Sequence, residues 1–250
     1  MKRLLLLLAA LLCCACGEAR VRQYDIRVVR EYPHDPHAYT QGLFFHDGIL
    51  YESTGGWGGS SLRKTELESG QVQAIVPFNK KYFCEGSVIL GDKLYLLTWT
   101  NKQAFIYDAA TFRYLKTYSY PRQGWGLTTD GTSLIASDGS AKLYFMTPEF
   151  QLQRTVEVRM NGKSIRLLNE LEWIDGNIWA NVYTTDIILI INPQDGQVEG
   201  IVHGKGLLPD TLRTADTDVL NGIACHDGRI FLTGKNWPRL YEIRLVERKE

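Results

Sequence analysis

Short apolar runs separated by Asp-Gly or Gly-Asp pairs dominate the chain after its first twenty residues. In the run 43–51, two apolar segments lie on either side of Asp47 and Gly48. The run 87–95 repeats this plan around Gly91 and Asp92. Segments rich in Val, Ile, Tyr and Phe that flank such turns are typical of β-hairpins, whereas helical periodicity is scarce. The pattern therefore predicts an all-β protein.

The hairpins form a repeat. Five of them begin about 40 to 50 residues apart, which is the spacing of four-stranded β-propeller blades. They occupy residues 43–51, 87–95, 127–135, 172–179 and 223–231. Four are followed by a second pair of apolar strands, at 62–66 with 71–76, 104–108 with 114–118, 143–146 with 155–158, and 187–192 with 198–202. We therefore expect each unit to be a four-stranded sheet.

The last repeat is incomplete, because residues 239–243 supply one further strand and the chain then stops. The missing strand is available near the start of the chain, at residues 24–29. Pairing the two ends in one blade would remove an open sheet edge. We predict a five-bladed β-propeller closed by N- and C-terminal strands in one blade, forming a single domain over residues 24–247.

The first sixteen residues have the layout of a signal peptide. A basic start is followed by nine consecutive Leu and Ala residues at 4–12, a run too short for a permanent membrane helix. Cysteines follow directly, and Cys16 or Cys14 is a candidate for acylation after lipoprotein-type cleavage. An ordinary signal peptide with incidental cysteines is the alternative. We expect an exported protein that is periplasmic or anchored to a membrane through an acylated N-terminal cysteine.

The charge, cysteine and histidine content of the chain argues against nucleic-acid binding, a disulfide and a zinc site. Lys+Arg and Asp+Glu both number 28, so no basic excess favours nucleic-acid binding. Cys84 and Cys225 occupy different positions in the repeat, and we expect both to be free thiols. Of the five histidines, only those at 34 and 37 lie close together, and they lack the usual zinc spacing. We expect no cofactor and no catalytic metal.

The repeat predicts which side chains face one mouth of the central channel, because the first strand of a hairpin starts where the second strand ends. Two residues before each first strand stand Gln41, Glu85, Trp125, Glu170 (beside Asn169) and Asn221. Seven residues after each turn stand Gly55, Trp99, Asp138, Tyr183 and Lys235. Apolar walls with a few convergent polar groups are typical of a small-molecule site.

The segments around these positions resemble those of the plant and bacterial, non-zinc glutaminyl cyclases. They include Ala-Tyr-Thr-Gln-Gly-Leu (38–43), Phe-Cys-Glu-Gly-Ser (83–87), Ser-Asp-Gly-Ser (137–140), Leu-Asn-Glu-Leu-Glu-Trp (168–173), Trp-Ala-Asn-Val-Tyr (179–183) and Leu-Thr-Gly-Lys-Asn-Trp (232–237). Each motif is weak alone, but six in order on one face are specific. The resemblance implies conversion of N-terminal glutamine in peptides to pyroglutamate with release of ammonia, by a monomer that needs no metal.

The resemblance also implies residue roles. Glu85 corresponds to the family's catalytic glutamate, which serves as both base and acid. The expected substrate-binding residues are Gln41, Asn169, Lys235, Trp99, Trp125, Tyr183, Phe83 and Tyr39. Gln41 and Asn169 would bind the glutamine and its oxyanion, and Lys235 would contact a peptide carbonyl or the ionised Glu85. Tyr183 departs from the tryptophan of plant relatives, which puts the preference for the second substrate residue in doubt.

Two other functions fit parts of the pattern. A non-enzymatic propeller could hold a peptide or partner at the same mouth, although it would not need Glu85 together with Gln41 and Asn169. A metal-dependent hydrolase would need carboxylate and amide ligands, and Glu85, Glu170 and Asn221 are candidates. We expect Glu170 and Glu172 to act as structural hydrogen-bonding groups.

Overall fold

The computed structural model describes residues 20–249, whose regular secondary structure is almost entirely β-strand. In chain order the strands are β1 (Arg22–Pro33), β2 (Thr40–His46), β3 (Ile49–Thr54), β4 (Ser61–Thr65), β5 (Val72–Pro77), β6 (Cys84–Leu90), β7 (Lys93–Thr98), β8 (Gln103–Asp108), β9 (Tyr114–Ser119), β10 (Leu127–Thr129), β11 (Leu134–Ala136), β12 (Lys142–Met146), β13 (Leu152–Glu157), β14 (Arg159–Met160), β15 (Lys163–Ser164), β16 (Leu168–Ile174), β17 (Asn177–Val182), β18 (Ile187–Ile191), β19 (Val198–His203), β20 (Leu220–His226), β21 (Arg229–Gly234) and β22 (Arg239–Glu247). One 3-10 turn, Asp210–Leu212, precedes β20.

The strands form an all-β, propeller-like arrangement. Strands β2–β5, β6–β9 and β10–β13 each make a four-stranded sheet in chain order, with antiparallel neighbours. The remaining long strands form one eight-stranded sheet in the order β16-β17-β18-β19-β1-β22-β21-β20. The two-stranded hairpin β14–β15, which the sequence pattern did not predict, stands apart from these sheets.

Strand β1 joins the two ends of the chain. It pairs antiparallel with β22, so that Ile26 lies opposite Leu245, as the incomplete last repeat predicted. It also pairs parallel with β19, where Tyr24 lies opposite Val202. The N-terminal strand therefore completes the sheet of β20–β22 and at the same time bonds it to β16–β19.

The Asp-Gly turns adopt the backbone that two-residue hairpins require. Asp47 and Gly48 both have positive φ, 49° and 74°, as a type I′ turn needs. Asp227 and Gly228 repeat this geometry with φ of 50° and 71°. The acids of these pairs are turn-forming residues, as expected from the sequence.

The innermost strands β2, β6, β10, β16 and β20 contact one another in a closed cycle. Glycines permit this approach. A Cβ on Gly126 would lie 2.0 Å from the carbonyl oxygen of Asn169, and one on Gly86 would lie 2.4 Å from the amide nitrogen of Leu127. Contacts this short exclude a side chain, so the backbones of neighbouring sheets meet directly around the channel.

Apolar clusters fill the space between neighbouring sheets. One cluster packs Leu97 and Ile106 against Leu127 and Leu134, joining β6–β9 to β10–β13. Four further clusters join the other neighbours in the same way, including the last sheet to the first. Cys84 is buried and Cys225 partly buried, and both are free thiols, as predicted.

The predicted signal peptide and the candidate acylation sites Cys14 and Cys16 lie outside the described residues 20–249. Within that range, no helix is both long and apolar enough to cross a membrane.

Substituting Gly126 by alanine tests the importance of the close approach between sheets. We expect Gly126→Ala to lower the free energy of unfolding by about 2 kcal/mol, since overpacking at backbone contacts costs this much. For a domain of this size the melting temperature would fall by about 4–8 °C. Thermal and urea unfolding of the purified variant would measure both quantities.

The matched control is Gly59→Ala, because a Cβ at Gly59 has nothing within 4 Å and its φ is not positive. We expect the control to unfold within about 0.5 kcal/mol of the parent protein. Equal stability of the two variants would show that the contact at Gly126 relaxes without cost.

Candidate active site

The innermost strands carry an irregularity at the predicted mouth positions. The pairing of β2 with β3 shifts between Thr40 and Gly42, and that of β6 with β7 shifts between Cys84 and Ser87. Equivalent shifts occur where β16 and β20 begin, around Asn169 and Asn221. Bulges of this kind redirect a side chain out of the regular alternation of a strand. They lie at the positions from which the site is built.

Nine side chains line one pocket of about 180 Å³ at this mouth. They are Tyr39, Gln41, Phe83, Glu85, Trp99, Trp125, Asn169, Tyr183 and Lys235. They are the nine residues for which the resemblance implied a catalytic or substrate-binding role, and the structure brings them together. Two other predicted mouth positions lie beside the pocket without lining it. A Cβ on Gly55 would lie 2.2 Å from the ring of Phe83, so glycine leaves space for that ring, and Asp138 accepts a hydrogen bond from the hydroxyl of Tyr144 at 2.9 Å.

Glu85 is the buried acid of the pocket, with 5% of its surface exposed. Burial raises the pKa of its carboxyl well above the usual value, and the positive charge of Lys235 opposes that rise. The backbone around it is fixed, since Ser53 Oγ donates to the carbonyl of Glu85 at 2.6 Å and Gly86 N donates to that of Trp125 at 2.7 Å. The backbone that carries Glu85 is thus fixed, and burial favours the protonated form of its carboxyl.

Lys235 is the buried basic residue of the pocket and is only 3% exposed. Its Nζ lies 4.7 Å from the ring centroid of Tyr39 and 4.9 Å from that of Tyr183. Burial lowers the pKa of the ammonium, while Glu85 and Asp218 raise it. Two aromatic faces and two nearby acids therefore accommodate the lysine charge in an otherwise apolar wall.

Asp218 was not predicted from the sequence. Its carboxylate accepts a hydrogen bond from the hydroxyl of Tyr39 at 2.6 Å and another from the backbone N–H of Val219 at 2.8 Å. Burial and this bond both raise the pKa of the Tyr39 phenol. Because the phenol donates its proton to Asp218, its oxygen can present only lone pairs elsewhere.

Gln123 is a second residue that the repeat did not reveal. Its side-chain carbonyl accepts hydrogen bonds from the indole N–H groups of Trp99 at 2.9 Å and Trp125 at 3.3 Å. Trp125 also meets the edge of Tyr183, with ring centroids 5.6 Å apart. One surface amide thus fixes two walls of the pocket.

The two amides of the pocket are held in different ways. Ser137 Oγ donates to the backbone carbonyl of Asn169 at 2.7 Å, whereas the side-chain oxygen of Gln41 accepts a long hydrogen bond of 3.5 Å from Asn221 Nδ2. Within residues 20–249, the side-chain amide of Asn169 makes no hydrogen bond that would tie it to the protein. It therefore has donors and an acceptor available toward the pocket.

Two further carboxyls lie in the channel beside the pocket. Glu170 accepts backbone N–H groups from Leu43 at 3.3 Å and Ile223 at 2.9 Å, one on each oxygen. Glu172 accepts the N–H of Cys225 at 3.1 Å, and burial raises its pKa to about 8. Both acids thus serve as structural hydrogen-bonding groups, as expected.

The ligand set suggested for a metal-dependent hydrolase is engaged by the protein itself. Both oxygens of Glu170 accept backbone donors, and Asn221 Nδ2 donates to the carbonyl of Thr40 at 2.9 Å. Of that set only Glu85 lines the pocket. In the part of the chain that the structure covers, no three His, Cys, Asp or Glu side chains are grouped to hold a metal ion.

Comparison with known proteins decides the family. The family model for glutamine cyclotransferase matches residues 4–245, which is nearly the whole chain. The chain belongs to the glutamine cyclotransferase family. It is 42% identical over 232 residues to a glutaminyl-peptide cyclotransferase of Arabidopsis thaliana, covering 89% of this chain and 72% of the relative. The resemblance drawn from the six motifs is therefore confirmed.

Solved structures agree with this assignment to the glutamine cyclotransferase family. The fold superposes on the crystal structure of Myxococcus xanthus glutaminyl cyclase with a TM-score of 0.85 and 37% identity, over 92% of this chain and 100% of that one. It also matches the WD40 β-propeller domain of Doa1 with a TM-score of 0.50 and 12% identity, over 81% of this chain and 62% of that one, a likeness of fold alone. The propeller-like architecture is thus shared with known propellers.

Replacing Lys235 by methionine tests the electrostatic coupling within the pocket. We expect Lys235→Met to raise the pKa of the Glu85 carboxyl further, since the ammonium is the charge that lowers it. Carbon-13 NMR titration of glutamate-labelled protein would measure this pKa, with the Glu85 resonance assigned by its loss in Glu85→Gln.

The control is Lys116→Met, which removes the same charge from an exposed position on β9 beside Tyr118. It should leave the Glu85 titration unchanged. If the pKa in Lys235→Met stays constant or falls, the two groups are not coupled in the manner described.

Proposed function

We propose that this chain is a glutaminyl-peptide cyclotransferase, converting N-terminal glutamine of peptides to pyroglutamate and ammonia with Glu85 as acid/base. The observation that carries the assignment of roles is the buried Glu85 carboxyl, which shares one pocket with Gln41, Asn169 and Lys235. The family and the Arabidopsis relative named for this activity support it.

The reaction needs one proton to move between two nitrogens of the same residue. The uncharged α-amine of the glutamine attacks its own side-chain carbonyl carbon, forming a C–N bond and a tetrahedral oxyanion. Collapse of this intermediate breaks the bond to the carboxamide nitrogen. That nitrogen leaves as ammonia after gaining the proton that the attacking amine loses, so atoms and charge balance.

Glu85 can carry this proton in both directions. As a carboxylate it takes the proton from the attacking nitrogen, and as the resulting acid it delivers the proton to the leaving nitrogen. Burial raises the pKa of Glu85, which brings its two protonation states closer in energy than for an exposed glutamate. Because the carboxylate form starts the reaction, activity should fall as the pH drops through this raised pKa.

The remaining pocket residues bind and position the glutamine. The side-chain amides of Gln41 and Asn169 donate hydrogen bonds to the carboxamide oxygen and to the oxyanion that develops there. Lys235 adds positive charge, which stabilises ionised Glu85 or a peptide carbonyl. Trp99, Trp125, Tyr183, Phe83 and Tyr39 supply the apolar walls that pack on the glutamine methylenes and limit access of water.

We further propose that the sheets form a five-bladed propeller, with residues 24–247 as one catalytic domain. Five innermost strands in a closed cycle and an apolar cluster between each pair of neighbouring sheets support this count. The eight-stranded sheet then represents two blades, β16–β19 and β20–β22 with β1, joined by the parallel pairing of β1 and β19.

We place the enzyme outside the cytosol, in the periplasm or on a membrane, as a monomer. The sequence of residues 1–16 supports the location, with Cys16 or Cys14 as the acylated residue, and the monomeric state is what the resemblance to the glutaminyl cyclases implies. The mechanism routes no step through a metal, and it therefore gives an enzyme that works in the presence of a chelator.

Glu85→Gln tests the proposed acid/base role. We expect turnover of a Gln-initiated peptide to fall at least about 100-fold, since a glutamine side chain cannot exchange the proton and such groups contribute about 10²–10⁴-fold. Ammonia release and the matching loss of peptide mass would be followed with and without a chelator, and peptide binding should persist.

The matched control is Glu172→Gln, which changes another buried carboxyl that lies outside the pocket lining. It should retain most of the activity. Wild-type turnover in Glu85→Gln would exclude the mechanism. Peptide binding by the parent protein without cyclisation above the spontaneous rate would instead favour a non-enzymatic binding propeller, and loss of activity on chelation would favour a metal-dependent enzyme.

A further inference from the structure

A tryptophan flanked by four glycines, Trp57, lies outside the nine pocket residues. Trp57 follows Gly55 and Gly56 and precedes Gly58 and Gly59, in the connection between β3 and β4. Its side chain is 55% exposed, and it is the only tryptophan among the exposed large apolar residues in the described range. Leaving an indole in water forfeits the free energy that its burial would gain, so contact with an apolar group of a substrate would be favourable at this position.

Trp57 extends the apolar wall of the pocket outward. Its ring centroid lies 5.6 Å from that of Phe83 and 6.4 Å from that of Trp99, and both of these rings line the pocket. Phe83 and Trp99 also meet each other at 5.6 Å. These three rings, here called the rim cluster, run without a break from the Glu85 pocket to the outer surface.

The connection that carries Trp57 is anchored at both of its ends. Gly55 N donates to the carbonyl of Tyr39 at 2.8 Å, and the hydroxyl of Ser60 donates to the carbonyl of Gly56 at 2.8 Å. Gly56 has a φ of 119°, a conformation open to glycine alone at low cost. The indole is therefore presented at the rim by a defined turn.

The pocket is small compared with the sites that hold drug-sized ligands. Its volume of about 180 Å³ is below the range of about 300–1,000 Å³ that drug-sized ligands fill. Both reacting groups, the α-amine and the carboxamide, belong to the first residue of the peptide. That residue must occupy the pocket beside Glu85, and the following residue must lie on the rim.

We propose that Trp57 is a specificity-determining residue whose indole, with the rest of the rim cluster, packs against the side chain of the second residue of the peptide substrate. This inference rests on the proposed cyclotransferase function and extends it to a substrate class, peptides with an aromatic side chain after the N-terminal glutamine. Aromatic side chains add edge-to-face or stacked contacts to the apolar surface they bury.

Charge near the turn favours an aromatic over a basic second residue. A Cβ on Gly58 would lie 3.7 Å from Cβ of Lys80, which places a lysine directly beside the turn. Lys81 follows in the chain, with its Nζ 4.9 Å from the ring centroid of Tyr82. We expect the positive charges of these two lysines to disfavour a lysine or arginine as the second residue of the peptide, whereas a neutral phenyl ring meets no such repulsion.

Trp57→Ala tests the inference with two peptides that share the N-terminal glutamine and carry phenylalanine or glycine as the second residue. We expect kcat/KM for the Gln-Phe peptide to fall about fivefold, the size of one aromatic contact. The loss should appear in KM with kcat unchanged, because residue 57 does not touch the reacting atoms. The Gln-Gly peptide, which has no side chain to contact, should keep its kcat/KM within about twofold.

Two control variants accompany the measurement. Trp57→Phe retains an aromatic ring and should restore most of the preference for Gln-Phe. Leu167→Ala removes another exposed apolar side chain at the same mouth, next to Tyr183, and should leave the ratio of Gln-Phe to Gln-Gly unchanged.

The outcomes separate this inference from the function on which it rests. Equal loss on both peptides, no loss on either, or the same shift in Leu167→Ala would overturn the role of Trp57 while cyclotransferase activity stands. A preference of the parent protein for Gln-Lys over Gln-Phe would also overturn it. Failure of the parent protein to cyclise any of the peptides would overturn the proposed function itself.

Discussion

The close approach of the innermost strands is the constraint on which the other features depend. Gly86 bonds directly to the backbone of Trp125 at 2.7 Å, and the space beside Gly126 admits no Cβ next to Asn169. Side chains cannot occupy this ring, so the residue before each glycine becomes the polar or aromatic group of the mouth. Glu85 and Trp125 hold this position. The close contact between neighbouring innermost strands thus also places the pocket residues. A change that separates these strands would therefore lower the stability of the fold and displace the pocket side chains.

The electrostatics of the pocket follow from that placement. A carboxyl and an ammonium are costly to bury, and the structure limits the cost by letting Glu85 and Lys235 act on each other within a ring of aromatic side chains. The faces of Tyr39 and Tyr183 take up part of the lysine charge. The remaining burial raises the pKa of Glu85, which is the property that its proposed role as acid and base requires. A better solvated glutamate would be less costly to the fold but less suited to this role.

Much of the site could be predicted from the sequence because a repeat converts chain position into spatial position. The turn at Asp47 and Gly48 fixes where the first hairpin reverses, and the same offset from each later turn leads to the same mouth. That offset identified Trp99, Tyr183 and Lys235, which are far apart in the chain and line one pocket. The antiparallel pairing of the chain ends was predictable for a related reason, since an unfinished repeat requires a strand from elsewhere.

The contacts that the sequence did not predict lie in parts of the chain whose positions the repeat does not specify. Asp218 and Gln123 stand in irregular connections before the innermost strands. Their hydrogen bonds to Tyr39 and the two indoles depend on the conformations of these connections, which the repeat does not specify. The parallel pairing of β1 with β19 has the same origin, because it uses the other edge of β1 at residues 22–25, and the repeat predicts only the edge that pairs with β22. Trp57 differs, since four flanking glycines mark it in the sequence. An exposed indole in such a setting is conspicuous, but only its contact with Phe83 and Trp99 connects it to the site.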